Sequence, residues 1–501
     1  MTFDRSSGVF LHLTALPGPD GVGTLGAPAH DFVDALAAAD QSLWQFCPLG
    51  PTAGGFGNSP YQTYSAFAGN PLLVDLEALR AAGWLTDADL AERPDFDEHW
   101  VEYDRVNAFK TDRLRRAFER FRTTATDEDR AALEAFAADN AAWLDDYALF
   151  RAIKTVFDDE GWRSWPKGVR ERDPEELSRY RADPAEEIRF RKFCQFCFDR
   201  QWQSLHERAS ERGVTLVGDM PIYMGLDSAD VWANPDLFDL DEANEPAAVA
   251  GMPTNPDGHG EGQRWGNPLY DWDAMRADGY AWWIRRFESL LDRVDVVRVD
   301  HFKGYEQYWA IPADATSPAD GEWRDGPGEA LFEAVESALG DLPLVVEDLG
   351  GVTEALRAFR KRLGLPGTKV AVYADWCAED HEYLPHRYPE DAVAYTSTHD
   401  TTTVVGWYED VASDRQRGCL QFALDTDGTA IHWDVIEAVW ASESVFAVAP
   451  MQDLLGLGGE TRFNTPGTAE GNWTWRVTGE ALDDTDVQGR LAELTECHGR
   501  A

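Results

Sequence analysis

Four apolar runs in this chain each end on an acidic residue. They are VTLVGD at Asp219, VDVVRVD at Asp300, PLVVED with Glu347 and Asp348, and AVAYTSTHD at Asp400. Short runs that are apolar at nearly every position read as parallel strands covered on both faces. Each would deliver a carboxylate from its C-terminal end. Extended to strand candidates, they cover 214–223, 294–302, 342–349 and 392–398, and four more runs join them at 8–16, 43–49, 368–374 and 444–454. Helical patterns lie between most of them, as in AHDFVDALAAAD (29–40), YAWWIRRFESLLDRV (280–294), GEALFEAVESALG (328–340) and VTEALRAFRKRLG (352–364). Eight strands alternating with helices predict an α/β fold, a (β/α)8 TIM barrel spanning 1–501 as one domain. The C-terminal strand ends of such a barrel converge on one mouth, where active sites sit.

Two connections are too long for simple crossovers. Residues 75–200 are charged and helix-like, and predict a helical insertion subdomain between strands 2 and 3. Residues 224–280 are rich in Gly, Pro, Asn and Trp and predict a loop subdomain over the mouth, because long loops in compact domains are usually functional. About 45 residues follow the eighth strand candidate, which leaves no room for a C-terminal β-sandwich.

Composition narrows the function. Acidic residues number 90 against 45 basic ones, a net charge of −45. Nucleic acid and anionic membrane both call for a basic face, so neither is expected as a partner. A chain this acidic repels itself at low salt, which predicts a halophilic protein. No run approaches the roughly 18 apolar residues of a membrane span. MTFDRSSGVFLHL carries no basic region, apolar h-region or cleavage site, so the expectation is a cytoplasmic protein. Six cysteines do not make a disulfide framework. The lone CxxC, Cys194 and Cys197, falls in a helical pattern with Phe190, Phe193, Phe198 and Trp202 and reads as core rather than a zinc site.

VRVDHF places Arg298 and Asp300 on the same side of one strand. A guanidinium beside a carboxylate keeps it ionised and oriented, as a glycosidase nucleophile requires, or simply as a structural ion pair. In VVEDLG, Glu347 and Asp348 point opposite ways. One can face the mouth while the other caps the following helix. STHD adds His399 and Asp400. A further carboxylate there can hold sugar hydroxyls and stabilise an oxocarbenium-like transition state. The spacing matches no HExxH metal site, and no GxSxG elbow accompanies it. Asn, Gly and aromatic residues recur together in the loops 57–71, 230–241, 262–273 and 464–476, among 20 tryptophans in all. Aromatic faces and amides side by side favour a carbohydrate groove.

At these motifs the chain closely resembles the 4-α-glucanotransferases, amylomaltase or disproportionating enzyme, of the α-amylase superfamily. The resemblance runs nearly end to end, through LPGPDGVGTLG, NSPYQTYSAFAGNP, GDMPIYM, SADVWANPDLFDLD, GQRWGNPLYDW, VRVDHFKGYEQYW, VVEDLGGVT, STHDTTTVVGW and RFNTPGTAEGNWTWR. It implies Asp300 as nucleophile, Glu347 as general acid/base and Asp400 as transition-state stabiliser. Arg298 and His399 resemble supporting residues. Tyr61, Asp219, Trp265 and Asn464 fall in segments like those that contact substrate. No metal or organic cofactor is implied. The implied partners are an α-1,4-glucan donor and a sugar acceptor, and the expected assembly is a monomer or small homo-oligomer. The expected reaction is retaining transfer of glucan segments among maltooligosaccharides or starch- and glycogen-like chains. An α-glucan hydrolase and a catalytically silent glucan-binding protein are the alternatives. Three departures stand out: Thr24 where an acidic residue is expected, Thr401 after the His-Asp pair in place of Asn, and a Gly-rich 251–262 segment without the aromatic the family carries there. The last predicts a mobile cover over the acceptor site and more hydrolysis.

Overall fold

All eight apolar runs are strands of one sheet in the computed structural model, which describes residues 3–52, 54–253 and 262–501. The strands are β1 Ser6–Phe10, β2 Leu43–Gln45, β3 Thr215–Met220, β4 Val296–Val299, β5 Leu344–Val346, β6 Gly367–Val370, β7 Ala392–Tyr395 and β8 Phe446–Pro450. Every pairing is parallel, and the order around the sheet, β6-β7-β8-β1-β2-β3-β4-β5, is the chain order closed on itself. The seam between β5 and β6 is bridged where Val346 N–H donates to Pro366 O at 2.9 Å and Thr368 Oγ1 donates to Val346 O at 2.9 Å. The strands are short and almost wholly buried. Val296–Val299 and Ala392–Tyr395 have no exposed position. Close approach also dictates residue size: a Cβ on Gly8 would stand 2.1 Å from Leu43 O on the neighbouring strand.

The predicted barrel helices form at Ala27–Ala38, Ala281–Leu291, Glu329–Leu339 and Glu354–Arg362, each within two or three residues of its sequence pattern. Between β2 and β3 the helices Tyr103–Thr124, Asp127–Asp139, Ala141–Val156 and Ala185–Glu211 hold together through aromatic contacts, such as Phe121 against Phe193 at 5.1 Å. The last of them continues onto the barrel wall, where Trp202 meets Phe46 at 5.6 Å. Its Cys194 and Cys197 are free thiols in the core. Cys377 and Cys419, in contrast, form a disulfide between the segment after β6 and the helix Asp414–Leu424.

The 224–280 connection is more regular than a loop system. Ala248–Met252 and Gln263–Pro268 pair in an antiparallel sheet with Gln307–Pro312 and Glu322–Asp325. The predicted Gly-rich cover at 251–262 falls mostly on 254–261, outside the described residues. Among the described residues no helix is long and apolar enough to cross a membrane.

Candidate active site

The carboxyl ends of β3, β4, β5 and β7 bring the acidic side chains together. Arg298, on β4, lies in register with Asp219 on β3. Its Nη1 donates to Asp219 Oδ2 at 2.5 Å and to Asp300 Oδ1 at 2.9 Å. The Asp219 side chain has no exposed surface, whereas 21% of Asp300 is exposed. The buried pair is therefore a mount, and Asp300 is the carboxylate it presents. Tyr61 completes the mount by donating its hydroxyl to Asp219 Oδ2 at 2.8 Å. Burial pushes the Asp219 carboxyl up and Arg298 opposes it. The Arg298 guanidinium stays charged despite its own burial, because Asp219 and Asp300 both face it.

After Asp300 the backbone turns sharply. His301 takes φ 46°, a left-handed conformation uncommon outside glycine, and such strain tends to mark functional sites. The turn aims the His301 N–H at Glu347 Oε2, 2.9 Å away, while Leu349 N–H donates to Glu347 Oε1 at 2.9 Å. Those two donors fix the Glu347 carboxyl just beyond β5. Surrounding protein, followed by the nearby Asp300 charge, pushes its pKa up to about 7, against the pull of Arg298. Burial also lowers His301 to about 4, which leaves that imidazole neutral, and its ring meets Trp265 edge-on at 4.9 Å.

Asp348, which the sequence reading offered as a helix cap, does something else. It accepts from Thr368 N–H on β6 at 2.7 Å and stands 3.2 Å from Arg360 Nε near the end of the helix Glu354–Arg362, so it ties β6 to that helix instead of capping the helix start. The helix Glu354–Arg362 is capped by Thr353 instead.

Beyond β7, His399 is buried and Asp400 exposed. His399 Nε2 stands 3.3 Å from Asp400 Oδ2 and 3.0 Å from the Tyr61 hydroxyl, with the Tyr61 ring stacked over it at 5.4 Å. Burial works to lower His399, but Asp400 outweighs it and the net shift is upward. Asp400 moves the opposite way: the surrounding protein would raise it, and His399 and the Asn464 amide hold it below the usual carboxylate range. Asn464 Nδ2 donates to Asp400 Oδ1 at 2.6 Å. Thr401, the departure from the family pattern, hydrogen-bonds back to Thr398 at 2.9 Å. Thr24, the other, donates to Asp75 Oδ2 at 3.0 Å.

The mouth also holds residues that the sequence reading did not single out. Tyr373 is exposed just beyond β6. Surrounding protein, then the charges of Asp400 and Glu347, push its phenol pKa up. Arg462 Nη2 donates to Asp400 O at 2.9 Å, and Trp473 packs against Tyr61 and His399 at 5.8 and 6.0 Å. Gln62 and Asn267 bond each other at 2.7 Å, tying the Tyr61 loop to the strand that carries Trp265. Among the described residues, no three His, Cys, Asp or Glu side chains form a group that could hold a metal ion.

A closed parallel barrel with ionisable side chains gathered at its carboxyl mouth is the architecture of an enzyme that works there. The sequence profile of the 4-alpha-glucanotransferases matches residues 11–482. The chain is 43% identical over 500 residues to a 4-alpha-glucanotransferase of Synechocystis sp., covering 99% of this chain and 98% of the relative. It is 42% identical to the Thermus thermophilus 4-alpha-glucanotransferase, over 99% and 100% of the two chains. Its structure is similar to amylomaltase from Streptococcus agalactiae, solved in complex with acarbose. The TM-score is 0.95 at 35% identity, over 99% and 100% of the chains. The chain belongs to the 4-alpha-glucanotransferase family and is an enzyme of that class.

Proposed function

We propose that the enzyme transfers α-1,4-glucan segments by retaining double displacement, with Asp300 as nucleophile, Glu347 as general acid/base and Asp400 as the stabilising carboxylate. One observation carries this reading: two neighbouring carboxyls stand in different settings. The Arg298 guanidinium donates to Asp300 Oδ1 at 2.9 Å, while the surrounding protein and the Asp300 charge keep Glu347 protonated up to about pH 7. In the first step an Asp300 oxygen attacks the anomeric carbon and the C1–O bond breaks. The leaving 4-oxygen takes the Glu347 proton, and a glycosyl ester remains on Asp300. In the second step Glu347, now a carboxylate, removes the proton from an acceptor 4-hydroxyl. That oxygen attacks C1 and releases Asp300. Positive charge at the ring in both transition states is met by Asp400, held ionised by His399 and Asn464.

Asp219, Arg298 and His399 act through these three, since their side chains are enclosed. Tyr61, Trp265, Tyr373 and Asn464 border the mouth and are the sugar contacts we propose. Transfer must outrun hydrolysis although water is abundant, and a positioned acceptor can supply an effective molarity of about 10⁵ M or more. The substrates we propose are maltooligosaccharides and starch- or glycogen-like chains. We propose that the helical segment 75–200 and the segment 224–280 serve as the walls that hold them. Incubation with maltotriose tests the reading. Glucose together with a ladder of longer oligosaccharides is expected. Glucose and maltose alone would make the enzyme a hydrolase, and an unchanged substrate would leave a binding protein.

A further inference from the structure

A cleft separate from the Asp300–Glu347–Asp400 cluster opens between the start of the helix Ala141–Val156, the short helix Ala229–Ala233 and the solvent side of Ala281–Leu291. Its volume is about 360 Å³, within the roughly 300–1,000 Å³ of ligand pockets. None of the residues placed at the barrel mouth lines it.

Its chemistry is selective. Trp143 lines it, with the indole ring nearly parallel to Phe67 (18°, centroids 6.3 Å apart) and its Nε1 donating to Asn140 Oδ1 at 3.0 Å. The aromatic is therefore held in one orientation before any ligand arrives. Two lining carboxylates are engaged: Asp146 with Arg172 at 2.6 Å, and Asp230 with Ala66 N–H at 2.9 Å and Trp282 Nε1 at 3.3 Å. Asp139, Glu288 and Asp292 are exposed and take no side-chain donor among the described residues. Arg285 is the one cationic side chain on the wall. A surplus of acceptors repels anions and favours ligands rich in hydroxyl donors. A fixed aromatic face favours a ligand with an apolar ring face. A neutral sugar chain has both.

We infer that this cleft is a second glucan-binding site, which holds a distant stretch of a polymeric substrate while another stretch occupies the barrel mouth. The inference rests on the transferase reading for the identity of the sugar. It also has a physical route to the mouth: Phe67 on the cleft wall and Tyr61 beside His399 belong to the same short loop. Two-point attachment raises the effective concentration of polymer at the mouth and gives nothing to a trisaccharide too short to reach both sites.

The test uses Trp143→Ala and the exposed-site variant Glu288→Lys in the full-length enzyme. Each is assayed for disproportionation of maltotriose and of long amylose, and for co-sedimentation with glycogen in an Asp300→Asn background. The expected result is about tenfold weaker glycogen binding and a raised KM for amylose, consistent with the loss of one aromatic contact, with maltotriose kinetics unchanged. Should Trp143→Ala misfold, Glu288→Lys decides alone. Unchanged glycogen binding and amylose KM in the folded variants would overturn the site, and would also be the outcome if the cleft took a cation. An unmutated enzyme inactive on maltotriose would overturn the transferase reading instead, and that result is read independently of glycogen binding.

Discussion

Arg298 sets the charges of the mouth, because a single Nη1 serves both Asp219 and Asp300. Asp300→Asn keeps that geometry and removes the charge. It should nearly abolish turnover while far-ultraviolet circular dichroism and glucan binding stay close to those of the parent; substantial residual transfer would reassign the nucleophile. Glu347→Gln should lower kcat by about 10²–10⁴-fold on maltooligosaccharides, and by less on a glycosyl fluoride, whose leaving group needs no proton. Glu347 has a raised pKa, so the protonated acid is present at low pH and lost as pH rises through about 7. The kcat/KM profile should therefore fall on its alkaline side near pH 7, and that limb should vanish in Glu347→Gln. A limb that persists would belong to another group. That Asp300, Glu347 and Asp400 stand at the same end of the sheet was legible because each lies at the close of an apolar run, whereas the choice of Glu347 over Asp348 rests on the family resemblance. Two facts were hidden. The sequence cannot say that Asp219 is turned inward onto Arg298, since a strand-end acid looks alike either way. Tyr373 was hidden because TKVAVYA reads as one continuous strand, whereas the chain leaves the sheet after Val370 and makes a short helical turn at Ala371–Tyr373.

At the scale of elements, barrel closure depends on how β5 meets β6. Asp348 supports the seam through Thr368 N–H at 2.7 Å and through Arg360. Asp348→Ala leaves a buried N–H without its acceptor. It should cost about 1–3 kcal/mol in chemical denaturation, with kcat per folded molecule preserved. A loss of kcat without a loss of stability would mean that Asp348 belongs to the chemistry. The eight strands and the barrel helices were legible because burial on both faces writes an unbroken apolar run, and burial on one face writes a 3.6-residue period. The small antiparallel sheet was not. Gln263–Pro268 is largely polar and only partly buried, Glu322–Asp325 is polar and mostly exposed, and they form strands only because Ala248–Met252 and Gln307–Pro312 lie between them. That pairing spans some 80 residues of sequence and leaves no local signature.

Over the whole molecule, a net charge of −45 should make stability depend on salt. The Debye length falls from about 10 Å at 0.1 M to about 3 Å at 1 M, so added salt screens the mutual repulsion of the acidic surface. We propose a halophilic enzyme, and thermal denaturation in rising KCl should give a rising Tm through the molar range. Greatest stability in dilute buffer would refute it. This property, the barrel and the double displacement are separable, and the last is the central claim. Its most direct test is to trap the intermediate. Glu347→Gln is mixed with maltotriosyl fluoride, quenched in acid and examined by intact-mass and peptide mass spectrometry. The account predicts one maltotriosyl unit in ester linkage to the peptide that carries Asp300, and an α-linked product once an acceptor sugar is added. Consumption of the fluoride with no adduct and a β-configured product would contradict it.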